Sequence, residues 1–143
     1  MTTRTAPDLR KVYPRSPREQ MADLVWVPRM VDKARAAVRD RLGDYLFPCP
    51  MDQMLLDFLG VEASEFQKTA QRPDSEIESW VKEKLNQISP EKRQEFNQSI
   101  LNKQPDSPDK WDKFNRLRKK IAPTRTDITT WAGLIDLEEG RIR

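Results

Sequence analysis

Pro50-Met51-Asp52-Gln53-Met54-Leu55-Leu56-Asp57-Phe58-Leu59-Gly60 decides the fold class. Met51, Met54, Leu55, Phe58 and Leu59 stand at i, i+3, i+4, i+7 and i+8, one face of an α-helix, and Gly60 supplies the residue that turns left-handed and stops it. The same period recurs on both sides of this segment. Upstream, Val27, Val31, Ala34, Val38 and Leu42 form a stripe ending at Gly43. Downstream, three more follow: Ile77, Trp80, Val81, Leu85 and Ile88; Trp111, Phe114, Leu117 and Ile121, closed before Pro123; and Ile128, Trp131, Leu134 and Ile135.

Helix starts are written between the stripes. Ser16-Pro17-Arg18-Glu19 reads as a capping box with proline at the first helical position, and Ser89-Pro90-Glu91 and Ser107-Pro108-Asp109 repeat the pattern with an acid in the first turn. Pro90 to Asn102 offers only Phe96, Ile100 and Leu101, which predicts a peripheral helix. Asp44 to Pro48 reads as extended and Gln104 to Ser107 as a loop. The expectation is an all-α fold of six or seven short helices. It forms a single domain over 1–143, with 1–7 a flexible tail and at most one short extended segment near 44–48.

Composition prunes the chemistry. The 143 residues include no histidine and one cysteine, which removes Ser-His-Asp and Cys-His dyads and Cys/His zinc clusters; no metal and no cofactor is expected. Leu, Ile, Val and Phe make up about a fifth of the chain and the net charge is only +3, enough apolar material to fold. No apolar run approaches a membrane span and Met1 to Lys11 is too polar for a secretory signal, so a cytoplasmic protein that does not enter membranes is expected. Cys49 sits where a helix N-terminus could activate it, but Asp52 opposes a thiolate there and no imidazole can assist, so it reads as structural.

Charge is segregated along the chain. Residues 1–41 carry a net +5, 42–109 carry −6, 110–125 carry +6 and 126–143 carry −2. Blocks of opposite sign can neutralise one another across a surface, or one basic block can face a partner. On a helix over 110–121, Lys113, Arg116, Lys119 and Lys120 fall opposite the apolar face as a cationic stripe that could follow nucleic-acid phosphates, though no recognition motif surrounds it. The N-terminal half offers a second cluster. Arg29, Lys33 and Arg35 share a helix with Asp32, and either form a salt-bridged edge or line a small anionic pocket with Arg15. In the pocket reading, Asp32, Asp52 and Tyr13 orient the cations.

Three ordered segments carry a resemblance. Asp8 to Glu19 (DLRKVYPRSPRE), Val27 to Ala36 (VPRMVDKARA), and Cys49 to Gln53 (CPMDQ) with Phe58-Leu59-Gly60-Val61 are similar to a bacterial domain-of-unknown-function family of small soluble proteins. The likeness is firm over 8–66. It runs more loosely through Ser75 to Val81, Asp127 to Trp131 and Leu137 to Arg141, within a C-terminal helical part at 75–143. What it implies is a common scaffold around the Tyr-Pro-Arg-Ser-Pro-Arg and Pro-Arg-x-x-Asp-Lys-Ala-Arg segments, with no activity attached and no catalytic residue assigned. Three functions remain, in this order: a non-enzymatic interaction or regulatory module with a protein partner, a binder or enzyme acting on a small anionic metabolite, and a weak nucleic-acid binder through the basic helix.

Overall fold

A computed structural model describes residues 6–143; the tail expected over 1–7 therefore lies mostly outside the described residues. Among these, seven helices and one two-stranded hairpin form a mostly helical domain. The helices are α1 (Val27–Val38), α2 (Pro50–Leu59), α3 (Ala63–Thr69), α4 (Asp74–Lys84), α5 (Pro90–Leu101), α6 (Pro108–Ile121) and α7 (Trp131–Glu138), and the strands are β1 (Gln20–Met21) and β2 (Leu24–Val25). No helix among the described residues is long and apolar enough to cross a membrane.

Helix α1 runs through the centre. Every residue from Val27 to Ala36 is buried, so the helix is enclosed on all sides by β1, α3 and the segments around them. Its apolar side joins Leu24, Val25, Met30, Val31, Leu55, Leu56, Phe66, Ile77, Val81 and Ile100 in one continuous core. Helix α2 presents Met51, Leu55, Leu56 and Leu59 to this core and ends at Gly60 with φ 71°, the left-handed stop that its sequence predicts. Met54 and Phe58 are only partly buried; Phe58 stacks on Phe96 at 4.4 Å between centroids, and Phe66 takes the enclosed place between Phe47 and Trp80.

Several boundaries differ from the sequence reading, each for a physical reason. Only half of the capping box forms at Ser16 to Glu19: the Glu19 carboxylate accepts from the Ser16 N–H at 3.1 Å, but the Ser16 hydroxyl accepts from the Arg18 N–H instead, and the chain makes one turn and no helix. The Ser16 hydroxyl donates to Asp136, and the chain leaves into β1. Extended pairing occurs at 20–25, while 44–48 is an unpaired loop. The hairpin turns through Ala22 and Asp23 at φ 54° and 65°, a geometry usually written Asn-Gly, so no glycine marks it. The Asn97 side chain holds it instead, accepting from the Val25 N–H at 3.0 Å and donating to the Asp23 carbonyl at 2.8 Å. Helix α5 is thus not peripheral: it buries Phe96, Asn97 and Ile100 against β2.

Helix α1 also stops earlier than its stripe. Asp40 turns left-handed at φ 53°, leaving Val38 half exposed and Leu42 in the following loop. In α6 the expected apolar Ile121 is exposed, whereas Arg118 is buried and donates to the Ala122 and Pro123 carbonyls at the helix end. Phe114 anchors α6 instead, edge-on to Trp111 and to Trp131 of α7 at 5.5 and 5.2 Å.

Phe66→Ala should remove about 3 to 5 kcal/mol by leaving a void where nothing can collapse, against under about 0.5 for the exposed Lys119→Ala. Urea denaturation of the two variants checks this, and equal midpoints would contradict it.

Candidate functional site

Enclosing a helix that carries Arg29, Asp32, Lys33 and Arg35 forces each charge to find a partner, because an unpaired ion in a dry interior costs several kcal/mol. All four are at most 3% exposed. Their partners arrive from distant parts of the chain in three groups.

Asp32 and Arg35 face the side of α4. Arg15 donates from its backbone N–H and its guanidinium to Asp32 at 2.9 and 3.1 Å, and from Nη1 to Asp74 at 2.9 Å. Arg35 reaches Asp74 at 3.0 Å and the Ala70 and Arg72 carbonyls at 2.7 Å, tying α1 to the α3–α4 turn. Burial depresses the Arg35 pKa. On Arg15 and Asp74, burial opposes the charged form but the ion pairs win, raising the first and lowering the second.

Arg29 turns the other way. Its guanidinium grips Glu139 with two parallel bonds of 3.0 and 2.8 Å and lies 5.6 Å from the ring centroids of both Trp26 and Tyr45. Its Nε has no hydrogen-bond partner among the described residues, and the two flanking π-faces supply the compensating attraction. Glu139 also accepts from the Tyr45 hydroxyl at 2.8 Å and from Arg141, which reaches Asp136 at 3.1 Å and the Pro14 carbonyl. Burial would raise the Glu139 carboxyl, yet these cations hold it below its ordinary 4.5. Burial and the bond to Glu139 push the Tyr45 phenol up.

Lys33 forms the third group. Its Nζ donates to Asp52 Oδ2 at 2.7 Å and to Cys49 Sγ at 3.3 Å. Asp52, fully buried in the first turn of α2, also accepts from the Trp26 indole at 2.7 Å and from the Cys49 N–H at 3.0 Å. Cys49 is the N-cap of α2, its sulfur accepting from the Asp52 N–H at 3.4 Å. Burial, then the Asp52 charge, raises the thiol pKa, with Lys33 opposing incompletely, so the cysteine is a poor nucleophile at neutral pH.

The last two groups back onto a single cleft of about 340 Å³. Trp26, Arg29 and Lys33 of α1 line it together with Cys49, Pro50 and Met51 at the start of α2. Trp131 and Ile135 of α7 form an apolar wall. Lys103, Gln104 and Asp106 from the loop before α6, with Lys110 and Lys113 of α6, form the rim. Four helices therefore place their first residues around this cleft, each contributing partial positive charge at its N-terminus. A bond of 3.0 Å from the Trp131 N–H to the Lys103 carbonyl fixes the rim loop against α7.

Of the residues expected to line an anionic pocket, the structure brings Arg29 and Lys33 to this cleft with Asp52 directly behind Lys33. Arg15, Asp32 and Arg35 belong to the interior network on the α4 side, and Tyr13 is 58% exposed in the N-terminal loop, so none of these four lines the cleft. The basic stripe is exposed along α6, with Lys113 at the cleft and Arg116, Lys119 and Lys120 farther along. Sequence reasoning missed Glu139, whose partner lies 110 residues away, and the roles of Trp26, Lys103, Lys110 and Trp131 at the cleft. Only the abundance of lysine around 103–113 hinted at the rim.

The chain belongs to a family described as a domain of unknown function (DUF5069), which matches residues 11–141. No curated protein matches it.

Lys33→Met alone should cost about 3 to 5 kcal/mol by stranding Asp52, whereas Lys33→Met with Asp52→Asn, which keeps an acceptor for the Trp26 indole, should cost less than the single change. Additive losses in urea denaturation would refute a coupled pair. Acid provides a separate check. Glu139 and Asp74 have lowered folded pKa values, so each contributes stability that is present above its unfolded value, 4.5 and 3.8, and lost as pH falls through the lower folded one. Melting temperature should drop between about pH 5 and pH 3; a flat profile would show that these pairs contribute nothing.

Proposed function

We propose that this member of the DUF5069 family is a non-enzymatic regulatory module that binds a small anionic ligand in the cleft at the start of α1, α2, α6 and α7. One observation carries the reading: five cations, Arg29, Lys33, Lys103, Lys110 and Lys113, meet the first residues of four helices around a single concavity. Glu139 and Asp52 neutralise Arg29 and Lys33, which leaves three rim lysines against Asp106 and a local excess of positive charge. The volume falls at the small end of the range for ligand sites, and an apolar wall with a few convergent polar groups is their usual composition.

The same geometry favours binding over catalysis. Both oxygens of Asp52 and of Glu139 are already engaged, and the Cys49 thiol is held protonated by its surroundings. None of these groups is poised to move a proton. Binding can be signalled outward, because Arg29 and Lys33 connect the cleft floor to α2 and to the C-terminal Glu139 and Arg141 contacts. Nucleic acid is the weaker reading for the basic helix: at 100° per residue Asp109 and Asp112 share the exposed face with Arg116 and Lys119 and interrupt the stripe.

A thermal-shift panel of anionic metabolites at low salt tests this. A ligand at 100 times its dissociation constant should add about 2.7 kcal/mol of stability, and Lys103→Glu with Lys113→Glu should abolish the gain without lowering the melting temperature of the free protein. A gain that survives both charge reversals would place binding elsewhere.

A further inference from the structure

Resting on the anion-binding reading, we infer that the cleft takes a phosphate monoester of a single flat ring, its phosphate at the rim between Lys103, Lys110 and Lys113 and its ring against Trp131. The first argument is charge. Three rim lysines against one Asp106 leave +2, and a phosphate monoester carries about −1.5 to −2 at neutral pH, whereas a carboxylate supplies only −1. Asp106 already shows where an anion sits: its carboxylate lies 2.8 Å from the Lys110 Nζ and 3.6 Å from the Lys103 Nζ, at the entrance to α6.

The second argument is the kind of cation. The rim holds ammonium groups, compact point charges with three donors each, a kind of cation that binds phosphate and can meet a tetrahedral group from several directions. The one guanidinium at the cleft, Arg29, is committed to Glu139 by two bonds. The floor therefore makes no demand for a second anion, and the far end of the ligand is neutral. That end meets Trp131 and Ile135, with about 340 Å³ in all, room for one ring system beside a phosphate.

Calorimetric titration of the full chain at low salt with phenyl phosphate, benzoate and inorganic phosphate tests the inference. Phenyl phosphate should bind one-to-one and about tenfold more tightly than either of the others. Lys113→Ala should weaken phenyl phosphate several-fold, and Asp106→Asn should tighten it by removing the competing carboxylate. Both positions are exposed, so melting temperatures should hold. Benzoate binding as tightly as phenyl phosphate, or no gain on Asp106→Asn, would overturn the phosphate class while leaving an anion site. Inorganic phosphate binding as well as phenyl phosphate would remove the ring. Failure of every anion to bind the wild-type chain would remove the site itself.

Discussion

Burial of four charged side chains on one central helix is the constraint on which the rest of this structure depends. A helix enclosed on every side is ordinarily apolar all round, and α1 is not: Arg29, Asp32, Lys33 and Arg35 interrupt its surface. The fold satisfies them by drawing Arg15, Asp52, Asp74 and Glu139 from four separate segments, which pins the N-terminal loop, α2, α4 and the C-terminal end to the same helix. Such pairs add little net stability over an apolar core, but removing one member is costly, so they specify the arrangement more than they strengthen it.

The cleft is a by-product of that arrangement. Pairing Lys33 with Asp52 brings the start of α2 beside α1, and pairing Arg29 with Glu139 brings α7 to the same end. The edge-on contact of Phe114 with Trp131 then sets α6 alongside, with its first-turn lysine at the opening. Helix beginnings gather where side-chain charges are already paired, whereas at the rim Lys103 and Lys110 share the one carboxylate of Asp106 and Lys113 adds a third cation, so the excess charge faces solution. Structural and binding charges are thus divided by depth: the floor is neutralised pair by pair, and the rim keeps more cations than Asp106 can balance.

Exposed cations elsewhere do not show this convergence. Arg10 closes on Asp8 and Arg125 on Asp127, short-range pairs in water that contribute little. The far end of α6 remains cationic, but its own acids lie on the same face, and the surface hollow there places Asp112 beside Arg116 and Lys119.

The sequence by itself determined the helical class, the starts of α5 and α6, the stop of α2 and the side-chain types available for chemistry. Ser89 and Ser107 cap α5 and α6, and Gly60 stops α2, because these are local matters of backbone conformation and of hydrogen bonds a few residues apart. It also named Arg29, Lys33 and Asp52, as members of a charged cluster with Tyr13, Arg15, Asp32 and Arg35, of which only the first two line the cleft. Only the tertiary structure decided which of those charges share a group. The Arg29 to Glu139 pair spans 110 positions and no periodicity links its ends. Tertiary contacts likewise overrode local signals where a distant partner was stronger: Asp136 took the Ser16 hydroxyl, and Asn97 stabilised a turn through Ala22 and Asp23 that its residues do not announce. Local propensity is written in neighbours, whereas the pairing of buried charges is set by which segments the core brings within about 3 Å.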